Sequence, residues 1–148
     1  MIVVRPIKIT DAIFTSSTVP EPDAGEITWT ADTYNLGDRR IKTDTHSIYQ
    51  VTADPSTTDD PTGAGVGVNA TPPTWVKVQS TNKWAMFDEV ISTSTSETTT
   101  LTVVLTPSQL YNAVAGIGLS GVDSVNITMN DGGEVYNRDV DMNDYSGV

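Results

Sequence analysis

Carboxylates are the most numerous groups in this sequence that could do chemistry, because it holds 19 acidic side chains, one His and no Cys. Their densest cluster, at 139–144, places oxygen atoms at alternate positions as calcium-binding loops do, but it lacks the Gly and the distant Glu of that motif. Asp88 and Glu89 are adjacent, so on a strand they would point to opposite faces and could not flank one glycosidic bond. We interpret both groups as solvated side chains and predict no metal, no cofactor and no enzymatic activity.

Other reactive groups are scarce. Without Cys there is no disulfide, thiolate zinc site or thiol nucleophile. With His46 as the one imidazole, multi-His metal sites and most catalytic triads are excluded, and we interpret His46 as a surface residue. The glycines at 63–67 lack the Lys and the following helix of a phosphate-binding loop, so we expect a flexible loop there.

The charge pattern limits the partners. Eight basic residues against 19 acidic ones give a net charge of −11 at pH 7, which repels phosphate backbones and argues against nucleic acid. No stretch approaches the roughly 20 apolar residues of a membrane helix, and Arg5, Pro6 and Lys8 interrupt the short apolar run at the start. We therefore expect synthesis in the cytoplasm, no signal peptide and no membrane insertion.

Four aromatic residues recur within one short stretch: Trp29, Tyr34, Tyr49 and Trp75. Flat aromatic faces can stack on sugar rings in a binding site. A small module must also use its few large side chains to fill its own core. The sequence favours a core position for these four residues and leaves a glycan-binding surface as the alternative.

The composition predicts an all-β fold, because Thr is the commonest residue and short β-branched runs alternate with Gly, Pro, Asp and Asn. We divide the chain into an N-terminal strand and Pro-rich linker (1–25), a small β domain (26–79) and part of a β-sandwich (80–148). The small domain has a long polar loop at 53–73, either ordered or flexible. The predicted elements are strands at 1–10, 27–29, 34–41, 46–51, 74–78 and 101–105, one short helix at 107–115, and a hairpin of 124–129 with 134–140.

The last part of the chain predicts an incomplete sandwich. Its order of strand, short helix and hairpin suggests one half of a jelly-roll-like antiparallel β-sandwich. A jelly roll needs about eight strands, and only three or four follow Trp84. Either the first strand completes this sheet or the chain is a piece of a longer protein, and we favour the second.

The stretch from Trp29 to Trp75 resembles a small carbohydrate-binding module of the chitin-binding type. That pattern is a Trp, then Tyr-x-x-Gly-Asp with a basic or apolar residue after it, then a Tyr and a closing Trp. The matching residues here are Trp29, Tyr34 to Arg39, Tyr49 and Trp75. The resemblance implies the fold more than it implies chitin, because the loop 53–73 lacks the additional aromatics that sugar-binding members expose.

A second resemblance, to virion proteins of tailed bacteriophages, covers nearly the whole chain. It is carried by the segments 2–7, 10–12 and 15–21, by the aromatic module and above all by 81–88, Thr-Asn-Lys-Trp-Ala-Met-Phe-Asp. In that family this last segment introduces a galactose-binding-like sandwich. The resemblance implies that Asn82 belongs to a structural motif in which Trp84, Met86 and Phe87 pack between module and sandwich and Asp88 caps a turn.

These resemblances imply a non-enzymatic structural component of a phage virion at the distal tail, the baseplate or its fibres, acting as an assembly adaptor. Its partners would be other virion proteins and copies of itself in a symmetric assembly. The segment 2–9, apolar at alternate positions, is predicted to add to a neighbour's sheet. The alternatives are a module that binds host surface polysaccharide through the four aromatics, and a head-decoration or neck protein.

Overall fold

A computed structural model describes residues 6–109, 111 and 113–142 of the chain. The all-β prediction is confirmed: within these residues, helical structure is limited to the 3₁₀ turns Gly67–Asn69 and Ala85–Phe87. The strands are β1 (Phe14–Ser17), β2 (Tyr34–Asn35), β3 (Arg39–Lys42), β4 (Ser47–Val51), β5 (Ser56–Thr57), β6 (Trp75–Ser80), β7 (Val103–Leu105), β8 (Ser124–Asn130) and β9 (Glu134–Asp141).

The chain divides into two compact units, Met1–Ser108 and Gln109–Val148. The first unit holds β1 to β7 and the second unit holds the hairpin of β8 and β9. The division into 1–25, 26–79 and 80–148 remains a prediction.

The centre of the first unit is an antiparallel sheet in the order β3-β4-β6. Its middle strand alternates as a strand with one buried face must, because Ser47, Tyr49 and Val51 are buried and the residues between them are not. Val51 pairs with Trp75 across β4 and β6. The hydrophobic core consists of Tyr34, Tyr49, Val51 and Trp75. The buried face of the sheet is therefore the one that carries the aromatic rings.

A tight turn joins β2 to β3 and keeps Tyr34 under this sheet. Gly37 adopts a φ of 92°, which a side chain would disfavour. Asp38 closes the turn in both directions: its N–H donates to Asn35 O at 3.0 Å, and its carboxylate accepts from Asn35 N at 2.9 Å. The Tyr-x-x-Gly-Asp sequence therefore has a direct structural purpose here.

The polar loop 53–73 is ordered by local hydrogen bonds. It contains β5, which pairs with β2, and the 3₁₀ turn Gly67–Asn69. Val68 N donates to Pro61 O at 2.9 Å, and Thr74 N donates to Gly67 O at 3.0 Å. Of the two alternatives that the sequence left open, the ordered loop is the one observed.

The predicted N-terminal strand is wrong for the residues that the structure describes. Residues 6–10 form no strand, and 1–5 lie outside the described residues, as does part of the 2–9 arm. The first strand is Phe14–Ser17, which pairs antiparallel with β7 so that Ser17 lies opposite Val103. Pro6 lacks the backbone N–H that a ladder needs, whereas residues 14–17 find a partner strand.

Two further predictions for 101–115 are wrong. The described residues of 107–115 form no helix, and Leu110 and Asn112 lie outside the described residues. A helix of this length gains too few hydrogen bonds to offset its nucleation. The strand at 101–105 exists as β7 but is not buried, because Val104 and Leu105 keep 43% and 38% of their surface exposed.

The second unit confirms the predicted hairpin. β8 and β9 pair antiparallel, with Val125 opposite Val140 and Met129 opposite Tyr136. Gly132 has a φ of 69° in the turn, and Asp131 N donates to Gly133 O at 2.9 Å. The jelly-roll sandwich remains a prediction.

Candidate functional site

The structure places most of the four aromatic candidates inside the protein. Tyr34, Tyr49 and Trp75 are 3%, 5% and 0% exposed, whereas Trp29 is half-buried at the edge of their cluster. A ring without an exposed face cannot stack on a sugar, so the burial of these three rings favours the core over a glycan-binding surface. Of the predicted glycan-binding residues, only Trp29 retains an accessible face.

The polar atoms of the buried rings are satisfied inside the module. Trp75 Nε1 donates to Asp59 O at 3.0 Å, and the Tyr34 hydroxyl donates to Thr30 O at 2.7 Å. Burial opposes ionisation of Tyr34, but hydrogen bonding with Thr30 and the guanidinium of Arg40, 4.6 Å from the ring centroid, outweigh it and lower the pKa of Tyr34 below its usual value. These contacts are typical of a core that must fix its few large side chains.

Trp29 is covered by a charged pair. Lys42 Nζ lies 5.0 Å from the centre of the Trp29 ring and 2.9 Å from Asp60 Oδ2. Desolvation raises the pKa of Asp60, but hydrogen bonds from Thr62 and the nearby Lys42 ammonium lower it below its usual value overall. The Trp29 indole N–H is buried and has no partner in the described part of the chain. The lysine therefore occupies one side of the only accessible candidate ring.

A second aromatic cluster forms around Trp84, in the segment that the phage resemblance singled out. Trp84 is 8% exposed. Its ring centroid lies 5.0 Å from that of Phe14 and 6.0 Å from that of Phe87. The cluster thus joins β1 to the 3₁₀ turn that follows β6.

A buried carboxylate sits beside this cluster. The Glu21 side chain is 7% exposed and has three hydrogen-bond partners, two in the segment 81–88 and one in the β3–β4 turn. Thr81 Oγ1 donates at 2.6 Å, Trp84 Nε1 at 3.2 Å, and His46 Nδ1 lies 2.9 Å from Oε2. All three partners contact the one carboxylate, so Glu21 is the point at which the linker, the β3–β4 turn and the segment 81–88 are joined.

His46 lies between two carboxylates. Its Nδ1 faces Glu21, and its Nε2 lies 2.9 Å from Asp11 Oδ1. The ring stacks on Trp84, with 4.0 Å between centroids and 20° between planes. This role was not predicted, because the two carboxylates lie 25 and 35 residues away from His46 along the chain. No spacing rule connects residues so far apart. The one signal in the sequence is that a single His in an acidic chain has many carboxylates available as partners.

Asn82 connects the linker to a later loop. Its backbone N–H donates to Glu26 Oε1 at 2.7 Å, and its side chain hydrogen-bonds to the Asp23 carboxylate. The same amide exchanges two hydrogen bonds with Ser96, both at 2.9 Å. Asn82 therefore satisfies polar groups of two irregular segments that have no ladder of their own.

The remaining residues of this segment hold the loop after the 3₁₀ turn. The N–H of half-buried Met86 donates to Thr95 Oγ1 at 3.0 Å. Asp88 Oδ1 accepts from Val90 N at 2.9 Å and from Thr93 Oγ1 at 2.7 Å, the geometry of a side-chain cap on a turn. The packing of Trp84, Met86 and Phe87 against a sandwich remains a prediction.

An open pocket of about 350 Å³ adjoins His46. Its charged lining residues are Lys8, Asp11, Asp44 and Lys77, with His46 and Trp84 at one wall. Both nitrogens of the imidazole are already engaged by carboxylates, so in this arrangement the ring fixes segments and has no free nitrogen to activate a nucleophile.

Neither a metal-binding cluster nor a helix suited to span a membrane is found among the described residues. No group of His, Asp and Glu among them is arranged to hold a metal ion. Within the predicted acidic cluster, Asp139 accepts from the Asn126 amide at 2.7 Å, while residues 143 and 144 lie outside the described residues. The same part of the chain has no helix that is both long enough and apolar enough to cross a membrane.

The class that fold and site define is therefore an all-β protein whose aromatic residues build two packed clusters. No family model, curated protein or solved structure matches the chain.

Proposed function

We propose that this chain is a structural component of a tailed-phage virion, at the distal tail, the baseplate or its fibres, where it joins copies of itself and other virion proteins. The resemblance carried by 81–88 motivates the proposal. The observation that supports it most is the state of the second unit: none of its described residues is buried.

The hairpin of this unit has two unlike faces. Val125, Ile127 and Met129 on β8 are opposite Val140, Arg138 and Tyr136 on β9, which gives one largely apolar face. The other face carries Asn126, Thr128, Asn137 and Asp139, joined by side-chain hydrogen bonds. An isolated two-stranded hairpin is marginally stable in water, and an apolar face favours cover by further protein.

The first unit also presents open strands. β6 is an outer strand of its sheet, and its residues Val76 and Val78 are 44% and 39% exposed. Exposed apolar strands at a sheet edge are a risk of aggregation in a free monomer and a means of joining subunits in an assembly. The burial of Tyr34, Tyr49 and Trp75 further favours this proposal over glycan binding.

The direct test is the position and copy number of the chain in purified phage particles, by mass spectrometry and cryo-electron microscopy. Density at the distal tail, in several copies and with the apolar face of the hairpin covered, would support the proposal. Density on the head or neck would instead support the alternative of a head-decoration or neck protein. Absence from the particle would overturn every virion function considered.

A matched pair of variants tests the hairpin itself. Ile127→Asp places a charge on the apolar face, whereas Thr128→Asp places the same charge on the polar face one residue away. We expect Ile127→Asp to reduce incorporation into particles at least about tenfold, equivalent to about 1.4 kcal/mol of binding, and Thr128→Asp to leave it unchanged. Equal incorporation of both variants would contradict a role for this face.

A further inference from the structure

The contact between His46 and Asp11 is the main polar attachment of the segment before β1. Among the described residues 6–12, Asp11 makes the one hydrogen bond or ion pair to a residue distant in the chain. The other polar contacts of this segment are local, from Ile13 N and Phe14 N to Thr10 O, both at 2.9 Å. A change at the imidazole would therefore act directly on the attachment of 6–11.

The contacts of the ring are best satisfied in one protonation state. Both nitrogens face carboxylate oxygens at 2.9 Å, and an ionised carboxylate can only accept a hydrogen bond. Both contacts are satisfied when the ring carries two protons, because each nitrogen then donates. A neutral ring has one donor only, and its second nitrogen then faces a carboxylate with a lone pair.

The two carboxylates are not equivalent partners. The side chain of Glu21 is 7% exposed and that of Asp11 is 77% exposed. Glu21 is fixed by Thr81 and Trp84, so a neutral ring keeps its proton on Nδ1. The hydrogen bond between Nε2 and Asp11 is then the one that breaks, because the Asp11 carboxylate can turn to water at little cost.

We propose that His46 and Asp11 form a pH-dependent attachment, which holds the segment 6–11 against the first unit while the imidazole carries two protons and releases it when the ring loses one. Histidine is the side chain that ordinarily changes charge between about pH 5 and 8. The segment is attached at the acid side of the transition and released as the pH rises. This inference goes beyond the proposed function and does not depend on it.

Other charged groups around the ring are few. The pocket beside His46 contains Lys8, Asp44 and Lys77, and the structure gives none of them an ion pair with the ring. The lysines oppose a positive charge on the imidazole and Asp44 supports it. None of the three has a hydrogen bond or ion pair with the ring, and solvent ions screen charges that interact across an open, hydrated surface. The direct contacts with Glu21 and Asp11 therefore dominate.

NMR of the ¹⁵N-labelled chain tests the attachment. The ring nitrogen shifts of His46 report its protons, and the amide order parameters of Ile9 and Asp11 report the segment. As the pH is raised, we expect the order parameters to fall from about 0.85 to below 0.6 with the same midpoint as the loss of the Nε2 proton. Order parameters that stay constant while Nε2 loses its proton, or a ring that keeps both protons throughout, would overturn the proposal.

Two variants provide matched controls. Asp11→Asn offers an amide that accepts from the charged ring and donates to the neutral one, so its segment should stay attached at every pH. Asp44→Asn removes a carboxylate of the same pocket that does not contact His46, and it should keep the wild-type transition. The assignment to Asp11 would be contradicted if Asp44→Asn abolished the transition or if Asp11→Asn retained it.

Discussion

The imidazole of His46 lies nearly parallel to the indole of Trp84, with 4.0 Å between the ring centroids. Both rings also hydrogen-bond to the buried carboxylate of Glu21. The β3–β4 turn, the linker and the 3₁₀ turn Ala85–Phe87 are therefore joined at one point, where stacking orients the rings and the carboxylate satisfies their N–H groups. The first unit thus has a polar junction in addition to the hydrophobic core around Trp75.

Trp84 should contribute more to stability than its position in an irregular segment suggests. We expect Trp84→Ala to lower the free energy of unfolding by about 3–5 kcal/mol, because it removes a large buried ring. Trp84→Phe keeps an aromatic ring but loses the N–H to Glu21, and it should cost about half as much. Urea unfolding checks both. A cost below about 1 kcal/mol for Trp84→Ala would show that the cluster is not a folding element.

The hydrogen bond from Thr81 to Glu21 can be removed with little change in the shape of the side chain. Thr81→Val is nearly isosteric and removes one of the donors to a buried carboxylate, so we expect a loss of about 1.5–3 kcal/mol in urea unfolding. Thr98→Val is the control, because Thr98 contacts the Glu97 carboxylate at an exposed site. It should change stability by less than about 0.5 kcal/mol. Similar losses in both variants would contradict the role of Glu21 as a junction.

Several elements could be predicted because their signals are local. The β8–β9 hairpin follows from strict alternation in 124–129 and from Asn130-Asp131-Gly132-Gly133, whose residues favour the turn. The burial of Trp75 follows from the need of a small module to use its large side chains internally. The first signal lies in neighbouring residues, and the second requires only the composition of the module.

The junction could not be predicted in the same way. Thr81 and Trp84 reach Glu21 across 60 and 63 residues, and such contacts leave no periodic pattern in a sequence. The helix predicted at 107–115 failed for the opposite reason: Pro107 gave a local start signal, but a helix of this length gains too few hydrogen bonds to offset its nucleation. Local signals therefore identified turns and strands and missed the site that joins them.

The loop 53–73 provides a pair of glycines that separate crowding from backbone strain. Both Gly65 and Gly67 have positive φ, 71° and 60°. A Cβ at Gly67 would lie 2.2 Å from Pro61 O, whereas a Cβ at Gly65 meets nothing within 4 Å. We expect Gly65→Ala to cost about 1–2 kcal/mol and Gly67→Ala about 3 kcal/mol or more in thermal or urea unfolding. Equal costs would show that the backbone around Pro61 shifts to admit a side chain.

The two tryptophans of the module should respond differently to truncation. Trp75 is fully buried and donates to Asp59 O, so Trp75→Ala should unfold the module or cost about 3–5 kcal/mol. Trp29 is half-buried, and Trp29→Ala should cost about 1–2 kcal/mol. Circular dichroism with urea titration checks the difference. If the wild type bound to a glycan array and a folded Trp29→Ala variant did not, the result would instead favour the glycan-binding alternative.

Acid should weaken the module through Asp60. The pKa of this carboxyl is lower in the folded protein than its usual value, so its ionised form is favoured by folding. The stabilisation is present above the pKa of the unfolded chain and is lost as the pH falls through the lower pKa of the folded protein. Asp60→Asn should therefore lose about 1 kcal/mol at neutral pH and show a shallower loss of stability below about pH 4 than the wild type.

Asp44→Asn is the matched control for Asp60, because both carboxylates approach the same lysine. Asp44 Oδ2 lies 3.9 Å from Lys42 Nζ and its side chain is 65% exposed, whereas Asp60 Oδ2 lies at 2.9 Å with 32% exposed. Exposed pairs at such a distance contribute little, so urea midpoints of Asp44→Asn should follow the wild type from about pH 2 to 7. If Asp44→Asn and Asp60→Asn showed the same acid dependence, the stabilisation would come from the general charge of Lys42. A difference confined to Asp60→Asn would assign it to the hydrogen bonds that Thr62 and Lys42 donate to this one carboxylate.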